Sequence, residues 1–230
     1  MAALYITATG TDIGKTFVSL GLIEALRRRG RRVAALKPVV TGFDERNFAG
    51  SDPALLLKAC GQTPDLAAIA KIAPWRFATP LSPDMAARLE GQAIDIAALA
   101  RFCNTAIAKA DDALLIEGIG GLMVPLDPKT TICDLIAVLD IPIILVAGTY
   151  LGSLSHTLSA LEVARTRGLA VAALVVNETQ DPAVPIEAVC ESLGHFWRGP
   201  MIAVHRAPAL HAAAFERLTE LLPSPPASVA

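Results

Sequence analysis

The chain has 230 residues, of which 53% are hydrophobic and 18% charged, and its 20 Lys and Arg nearly balance its 22 Asp and Glu for a net charge of −2. This excludes a disordered chain, which combines low hydrophobicity with high charge, and leaves ample length for one domain with a buried core. The mixed charge argues against a nucleic-acid partner, which asks for a broad basic face, and the longest apolar run, 141–148 with Pro142 inside it, falls short of the ~20 residues of a membrane span.

Ala3 to Thr7 reads as a short first strand, and Gly14 to Arg29 as a helix closed by Gly30, since helices often end on a left-handed residue. Arg27, Arg28, Arg29, Arg31 and Arg32 form the one dense basic cluster and read as a solvated helix end, where cations meet the negative pole of the dipole. Val33 to Lys37 is the next apolar strand, stopped by Pro38, and Ser51 to Cys60 is a helix with Ser51 as its cap. The Pro-rich segment 72–83 reads as a long functional loop.

Asp95 to Lys109 is a helix and Ala113 to Glu117 a strand. Pro142 to Ala147, the helix Ser153 to Arg167 closed by Gly168, and the strand Val171 to Asn177 follow. Pro185 to Leu193 is a helix that Gly194 is expected to close. Met201 to Val204 reads as an edge strand, with a last helix near 209–222 and a frayed tail at 223–230. The domain therefore spans 1–222. Cys60, Cys103, Cys133 and Cys190 stand far apart without metal-ligand spacing and read as thiols of a reducing compartment. The amino terminus enters the first strand without the basic and apolar regions of a signal peptide, so the cytoplasm is expected. Short, uninterrupted Val/Ile/Leu/Ala strands alternating with helices predict an α/β doubly wound, mostly parallel sheet in a single domain.

Ala8-Thr9-Gly10-Thr11-Asp12-Ile13-Gly14-Lys15-Thr16 joins the first strand to the first helix. A phosphate needs backbone N–H donors, a helix N-terminus and a cation, and all three converge there. Lys15 would reach the β and γ oxygens and the Thr16 hydroxyl would ligate Mg²⁺. The strict G-x-x-x-x-G-K-[ST] pattern fails, because Thr9 stands where its first glycine belongs. Lys37, Glu117 and Asn177 end three strands, and Asp52 opens a helix. Polar residues at strand carboxyl ends lie where an open α/β sheet binds ligands. Each alone also reads as a capping or turn residue; together at one sheet edge they point to a nucleotide site.

These residues, in this order, resemble the dethiobiotin synthetase family of the P-loop NTPase superfamily. The matching blocks are 10–16 (GTDIGKT), 36–42 (LKPVVTG), 51–55 (SDPAL), 80–83 (PLSP), 117–121 (EGIGG), 151–153 (LGS) and 175–177 (VVN). The resemblance implies a homodimeric ATP-dependent ligase with active sites at the subunit interface. It would close the ureido ring of dethiobiotin from 7,8-diaminononanoate and CO₂ through a carbamate and a carbamic–phosphoric anhydride. It further implies that Asp12, Ile13, Gly14, Lys15, Thr16 and Phe17 cradle the phosphates of ATP, with Gly118, Ile119 and Gly120 beside them. Lys15 and Lys37 would be catalytic, Thr16, Asp52 and Glu117 would hold Mg²⁺, and Asn177 would recognise adenine. Thr11, Lys37 and Thr41 would contact the substrate's reacting end, and Leu151, Gly152 and Ser153 of the partner subunit its distant carboxylate. The sequence departs from the family at Ala8, Gly10, Asp84, Tyr150 and the segment 204–206. Two other readings are a switch ATPase of the chromosome-partitioning type, whose signature lysine is missing at Gly10, and a nucleotide-binding scaffold without activity.

Overall fold

The computed structural model describes residues 2–221, and the expected tail at 223–230 lies outside them. From the amino terminus, β1 (Ala2–Ala8) leads into α1 (Lys15–Arg28) and β2 (Val33–Leu36). Pro38 ends that strand, and the chain continues through β3 (Val39–Thr41), α2 (Asp52–Ala59), α3 (Leu66–Ile72), β4 (Trp75–Phe77), α4 (Pro83–Leu89) and α5 (Ile96–Lys109). Strict alternation follows: β5 (Ala113–Glu117), α6 (Ile132–Leu139), β6 (Ile143–Ala147), α7 (Ser153–Thr166), β7 (Val171–Asn177), α8 (Ile186–Gly194), β8 (Met201–Val204) and α9 (Pro208–Glu220).

Six strands form one sheet in the order β2-β5-β1-β6-β7-β8, and every pair is parallel. Successive side chains of a strand point to opposite faces, and here both faces are covered. Leu4, Ile6, Leu115, Ile144 and Val175 pack with Val18 and Leu22 of α1 and Phe215 of α9. Tyr5, Ile116, Leu145 and Val176 pack on the other side with residues of α5, α6, α7 and α8. Every residue of β5 and β6 is buried. This explains why those strands read as unbroken apolar runs rather than as alternating ones.

The doubly wound sheet agrees with the sequence, and several local features differ from it. The segment 72–83 is not one long loop: it holds the end of α3, all of β4 and the start of α4, and β4 pairs in parallel with β3 as a second, two-stranded sheet. Three-residue strands are too short to show a period. The helix α6 also has no counterpart in the sequence reading, because an eight-residue apolar run looks alike as strand or helix; its start is fixed by a capping box between Thr131 and Asp134. Gly194 lies within α8 rather than closing it, and His195 caps that helix, whereas Gly30 and Gly168 do take the left-handed conformation after α1 and α7. The basic cluster is more than a solvated helix end. Arg28 and Arg29 pair with Glu216 of α9, Arg32 pairs with Asp111 and Asp112, and Arg27 and Arg31 donate to the carbonyls of Ala59 and Asp112.

Candidate functional site

At the carboxyl end of β1 the chain turns before α1, and two residues of that turn are left-handed: Asp12 at φ 57° and Gly14 at φ 97°. Alternating handedness gathers successive N–H groups into a concave nest that suits an anion. Gly14 caps α1 and no side chain does, so the first N–H groups of a 14-residue helix are free for a ligand. A glycine is required at 14 for a second reason: a β-carbon there would lie 2.3 Å from Nδ2 of Asn177. The turn is anchored to its neighbours on both sides. Thr9 N–H donates to Val146 of β6 at 2.9 Å, and Gly118 and Leu122 donate to the carbonyls of Ile6 and Ala8, each at 2.9 Å.

At the departures from the family pattern, Ala8 and Gly10, the local backbone is ordinary, and a β-carbon on Gly10 would lie 3.1 Å from Ile13 Cδ1. Ala8 is still the last residue of β1, fully buried, and Gly10 is not left-handed. A β-carbon is therefore no obstacle at 8. Gly10 instead lies against the backbone of Gly121, where an added β-carbon would sit 3.2 Å from the Gly10 nitrogen.

Four side chains meet above this turn. Lys37, 3% exposed, donates from Nζ to Glu117 Oε1 at 2.7 Å, Asp52 Oδ2 at 2.9 Å and the Gly118 carbonyl at 2.9 Å. An ammonium has three hydrogens, so its capacity is filled. Burial alone would lower the Lys37 pKa, but Glu117 and Asp52 outweigh it and hold the ammonium above its ordinary range. For Asp52, burial works against the charge, and Lys37 and the Thr16 hydroxyl prevail to hold its carboxyl below the usual range. Lys15 has no carboxylate partner within reach; its Nζ folds back onto the Gly10 carbonyl at 3.2 Å. Burial and then the neighbouring Lys37 push it down to about 8.

The Thr16 hydroxyl lies 2.9 Å from Asp52 Oδ1 and 2.8 Å from Glu117 Oε1. A hydroxyl has one hydrogen, so one of these contacts brings two lone-pair oxygens together. Glu117 Oε2 is buried with no hydrogen-bond partner among the described residues. Three convergent oxygens with one unsatisfied carboxylate atom are the donor set a hard divalent cation takes. Among the described residues no cluster of three or more His, Cys, Asp or Glu offers another metal site.

A cleft of about 370 Å³ runs over the turn, and Gly14, Lys15, Thr16, Lys37, Thr41 and Asp52 line it. It shares Asp12 and Gly14 with a cavity of about 340 Å³ around Asn177, where Phe17, Glu178, Thr179, Gln180 and Arg206 form the walls. Asn177 donates from Nδ2 to the Ile13 carbonyl at 2.8 Å and leaves its Oδ1 free. On the opposite side, Thr11, Thr41, Ile119 and Gly120 continue into a cavity of about 460 Å³ closed by residues 80–83. Asp84 accepts a hydrogen bond from Ser82 at the start of α4. Leu151, Gly152 and Ser153 line none of these three spaces. They form the turn that leads into α7, with Gly152 left-handed at its N-cap, Ser153 buried and Leu151 exposed to 89%. Tyr150, just before them, bonds to His156 Nδ1 at 2.7 Å.

The structure thus brings together Thr11 to Phe17, Lys37, Thr41, Asp52, Glu117 to Gly120 and Asn177. Sequence reasoning missed Glu178, Thr179 and Gln180 beside Asn177, and reached Arg206 only as part of the departing segment 204–206. Their position directly after strand ends was the one available signal.

The comparisons with known proteins bear on the same site. Residues 2–210 match the family described as an AAA domain. Over 194 residues the chain is 47% identical to the ATP-dependent dethiobiotin synthetase BioD of Acidiphilium cryptum, covering 84% of this chain and 87% of that protein. Over 225 residues it is 43% identical to the synthetase of the same name from Phenylobacterium zucineum, covering 96% and 95%. Among solved structures it resembles the cell division ATPase MinD of Pyrococcus furiosus, with TM-score 0.55, 18% identity and coverage of 96% and 98%. It also resembles the chloroplast FtsY of Physcomitrella patens, with TM-score 0.56, 14% identity and coverage of 96% and 65%. At those identities the two structures speak for the fold alone.

Proposed function

The chain belongs to the family of ATP-dependent dethiobiotin synthetases, an ATP-dependent ligase of biotin biosynthesis, and we propose from its site how it carries out that reaction. The substrates are ATP, 7,8-diaminononanoate and CO₂. One amine of the diamine takes up CO₂ as a carbamate. A carbamate oxygen attacks the γ-phosphorus and ADP leaves. The second amine then attacks the carbonyl carbon of the mixed anhydride, which closes the ureido ring and releases phosphate. The protein's part in such a phosphoryl transfer is positioning and charge stabilisation.

The N–H groups of residues 12–17 cradle the phosphates, and Lys15 turns from the Gly10 carbonyl toward them. Thr16, Asp52 and Glu117 would hold Mg²⁺, a reading supported by the buried Glu117 Oε2, which has no partner among the described residues. Charge neutralisation on the phosphates is the chemistry such a cation would supply. Lys37, held between Asp52, Glu117 and the Gly118 carbonyl, would give its hydrogens to the carbamate and the transferring phosphoryl group. Asp52, the partner with the more exposed side chain at 40% against 1% for Glu117, is the one it releases most readily. The reacting end of the diamine lies by Thr11 and Thr41, with Gly118, Ile119 and Gly120 along the phosphates, and the base of ATP enters the cavity beside Asn177.

The diamine's distant carboxylate is received by the α7 turn at Leu151 to Ser153 of a partner subunit. A homodimer is supported by the absence of that turn from the lining of its own chain's cleft and by an α7 N-terminus that no side chain caps. A cytoplasmic location is supported by four free cysteines. No described helix is long and apolar enough to cross a membrane.

The observation that carries this mechanism is the convergence of Lys37, Asp52, Glu117 and Thr16 within hydrogen-bond distance at the head of the phosphate cleft. A scaffold that only held a nucleotide would not need three charges there. Purified protein given Mg-ATP and bicarbonate should release phosphate only when the diamine is added, with dethiobiotin formed in equal amount. Phosphate release that ignores the diamine would overturn this reading in favour of a switch ATPase.

A further inference from the structure

The loop after β7 forms much of the wall beside Asn177, yet little of its own backbone is tied down. Glu178 N–H still continues the sheet, donating to Val204 at 2.9 Å. From Thr179 to Ala183, the backbone N–H hydrogen bonds found among the described residues both end on one residue of the neighbouring turn. Thr179 N–H donates to Thr149 Oγ1 at 3.1 Å and Ala183 N–H to the Thr149 carbonyl at 3.2 Å. The two threonine hydroxyls add a third bond at 3.0 Å.

Thr149 is fully buried and follows β6, so it lies outside the ligand space. The glycine before it permits the contact: a β-carbon on Gly148 would stand 2.8 Å from the Thr179 methyl and 2.9 Å from the Tyr150 ring. Between its two anchored ends the loop takes a left-handed residue, Asp181 at φ 52°. A non-glycine residue in that conformation persists where its surroundings hold it.

We propose that Thr149 is a positioning residue for the nucleotide's base. It holds Thr179 and Gln180 as a preformed wall, although it touches no ligand itself. The inference rests on the reading of the Asn177 cavity as the base site. A preformed wall spares the ordering cost that a loose loop adds to binding. A hydroxyl removed from a buried, bonded position also leaves its partners unsatisfied.

Binding of Mg-ATP and of Mg-tripolyphosphate, which lacks the base and sugar, separates the possibilities. Thr149→Val should weaken ATP about tenfold and leave tripolyphosphate within about twofold, while Thr149→Ser retains wild-type affinity for both. Thr149→Ala, without added bulk, carries the same expectation as Thr149→Val and serves if the latter does not fold. Equal loss for both ligands would reduce Thr149 to a general structural part, and no loss for ATP would remove its role altogether. Gln180→Trp tests the premise by filling the cavity from an exposed loop. If it blocks ATP but not tripolyphosphate while Thr149→Val changes nothing, only the proposal falls. If Gln180→Trp leaves ATP binding intact, the base lies elsewhere and the reading of the cavity falls with it.

Discussion

Lys37 shows how a single buried charge is made tolerable and useful at once. Taking an ammonium out of water costs several kcal/mol unless it is paired and fully hydrogen-bonded, and here Glu117, Asp52 and the Gly118 carbonyl take all three hydrogens. On its proposed role at the transferring phosphoryl group, Lys37→Ala should lower turnover by about a thousandfold or more. ATP should still bind, because the cradle of residues 12–17 is untouched. The variant should also lose about 3 kcal/mol of stability, because Glu117 is left buried without its counter-ion. Turnover near the wild-type value would take Lys37 out of the chemistry; lost turnover with unchanged urea stability would show that Glu117 is relieved in another way. Lys15, Thr16, Lys37 and Glu117 were legible in the sequence because strand ends and helix starts declare the ligand edge of a parallel sheet. The contact from Asn177 to Ile13 and the bonds from Thr149 to Thr179 were not. Residues 164 and 30 positions apart leave no shared periodic mark.

The elements follow the same division. Strands buried on both faces announce themselves as unbroken apolar runs, so all six strands of the main sheet were readable. The short β3 and β4 were not, since their pairing comes from tertiary placement: Val39 lies opposite Trp75 and Thr41 opposite Phe77. That small sheet sets Thr41 at the cleft and residues 80–83 across from it. The helix α1 carries a detail that propensity would misjudge. Gly21 lies in its interior, where alanine is favoured by ~1 kcal/mol. Yet a β-carbon there would stand 2.2 Å from Cε2 of Phe215 on α9, whose ring is only 3% exposed. Forced overpacking of this kind costs about 1–3 kcal/mol. Gly21→Ala is therefore expected to lower the urea midpoint, and Gly21→Ala with Phe215→Leu to recover part of it. A single variant as stable as the parent would mean that α9 moves aside freely.

At the scale of the whole molecule, the arrangement points to a site that each chain does not complete alone. Lys15 and Lys37 line the cleft, while the α7 turn at Leu151 to Ser153 lines none of its spaces. A shared site in a symmetric dimer would join them across the interface. Gly152 is well placed for a test. It is left-handed at φ 94° with nothing within 4 Å of an added β-carbon, and aspartate tolerates that conformation better than most residues. Gly152→Asp should thus fold normally while its carboxylate occupies the helix N-terminus and repels the substrate's own. Alone, it should raise the KM for the diamine strongly and leave ATP binding unchanged. Lys37→Ala alone should be inactive. If the subunits of the two variants are mixed and allowed to exchange, half the dimers combine one of each, and each such dimer has one site built from two intact halves. Activity should then rise from background to about a quarter of the wild-type value. A mixture that stays at background would mean that every chain supplies its own carboxylate contact, and a fully active Gly152→Asp would remove the α7 turn from the site.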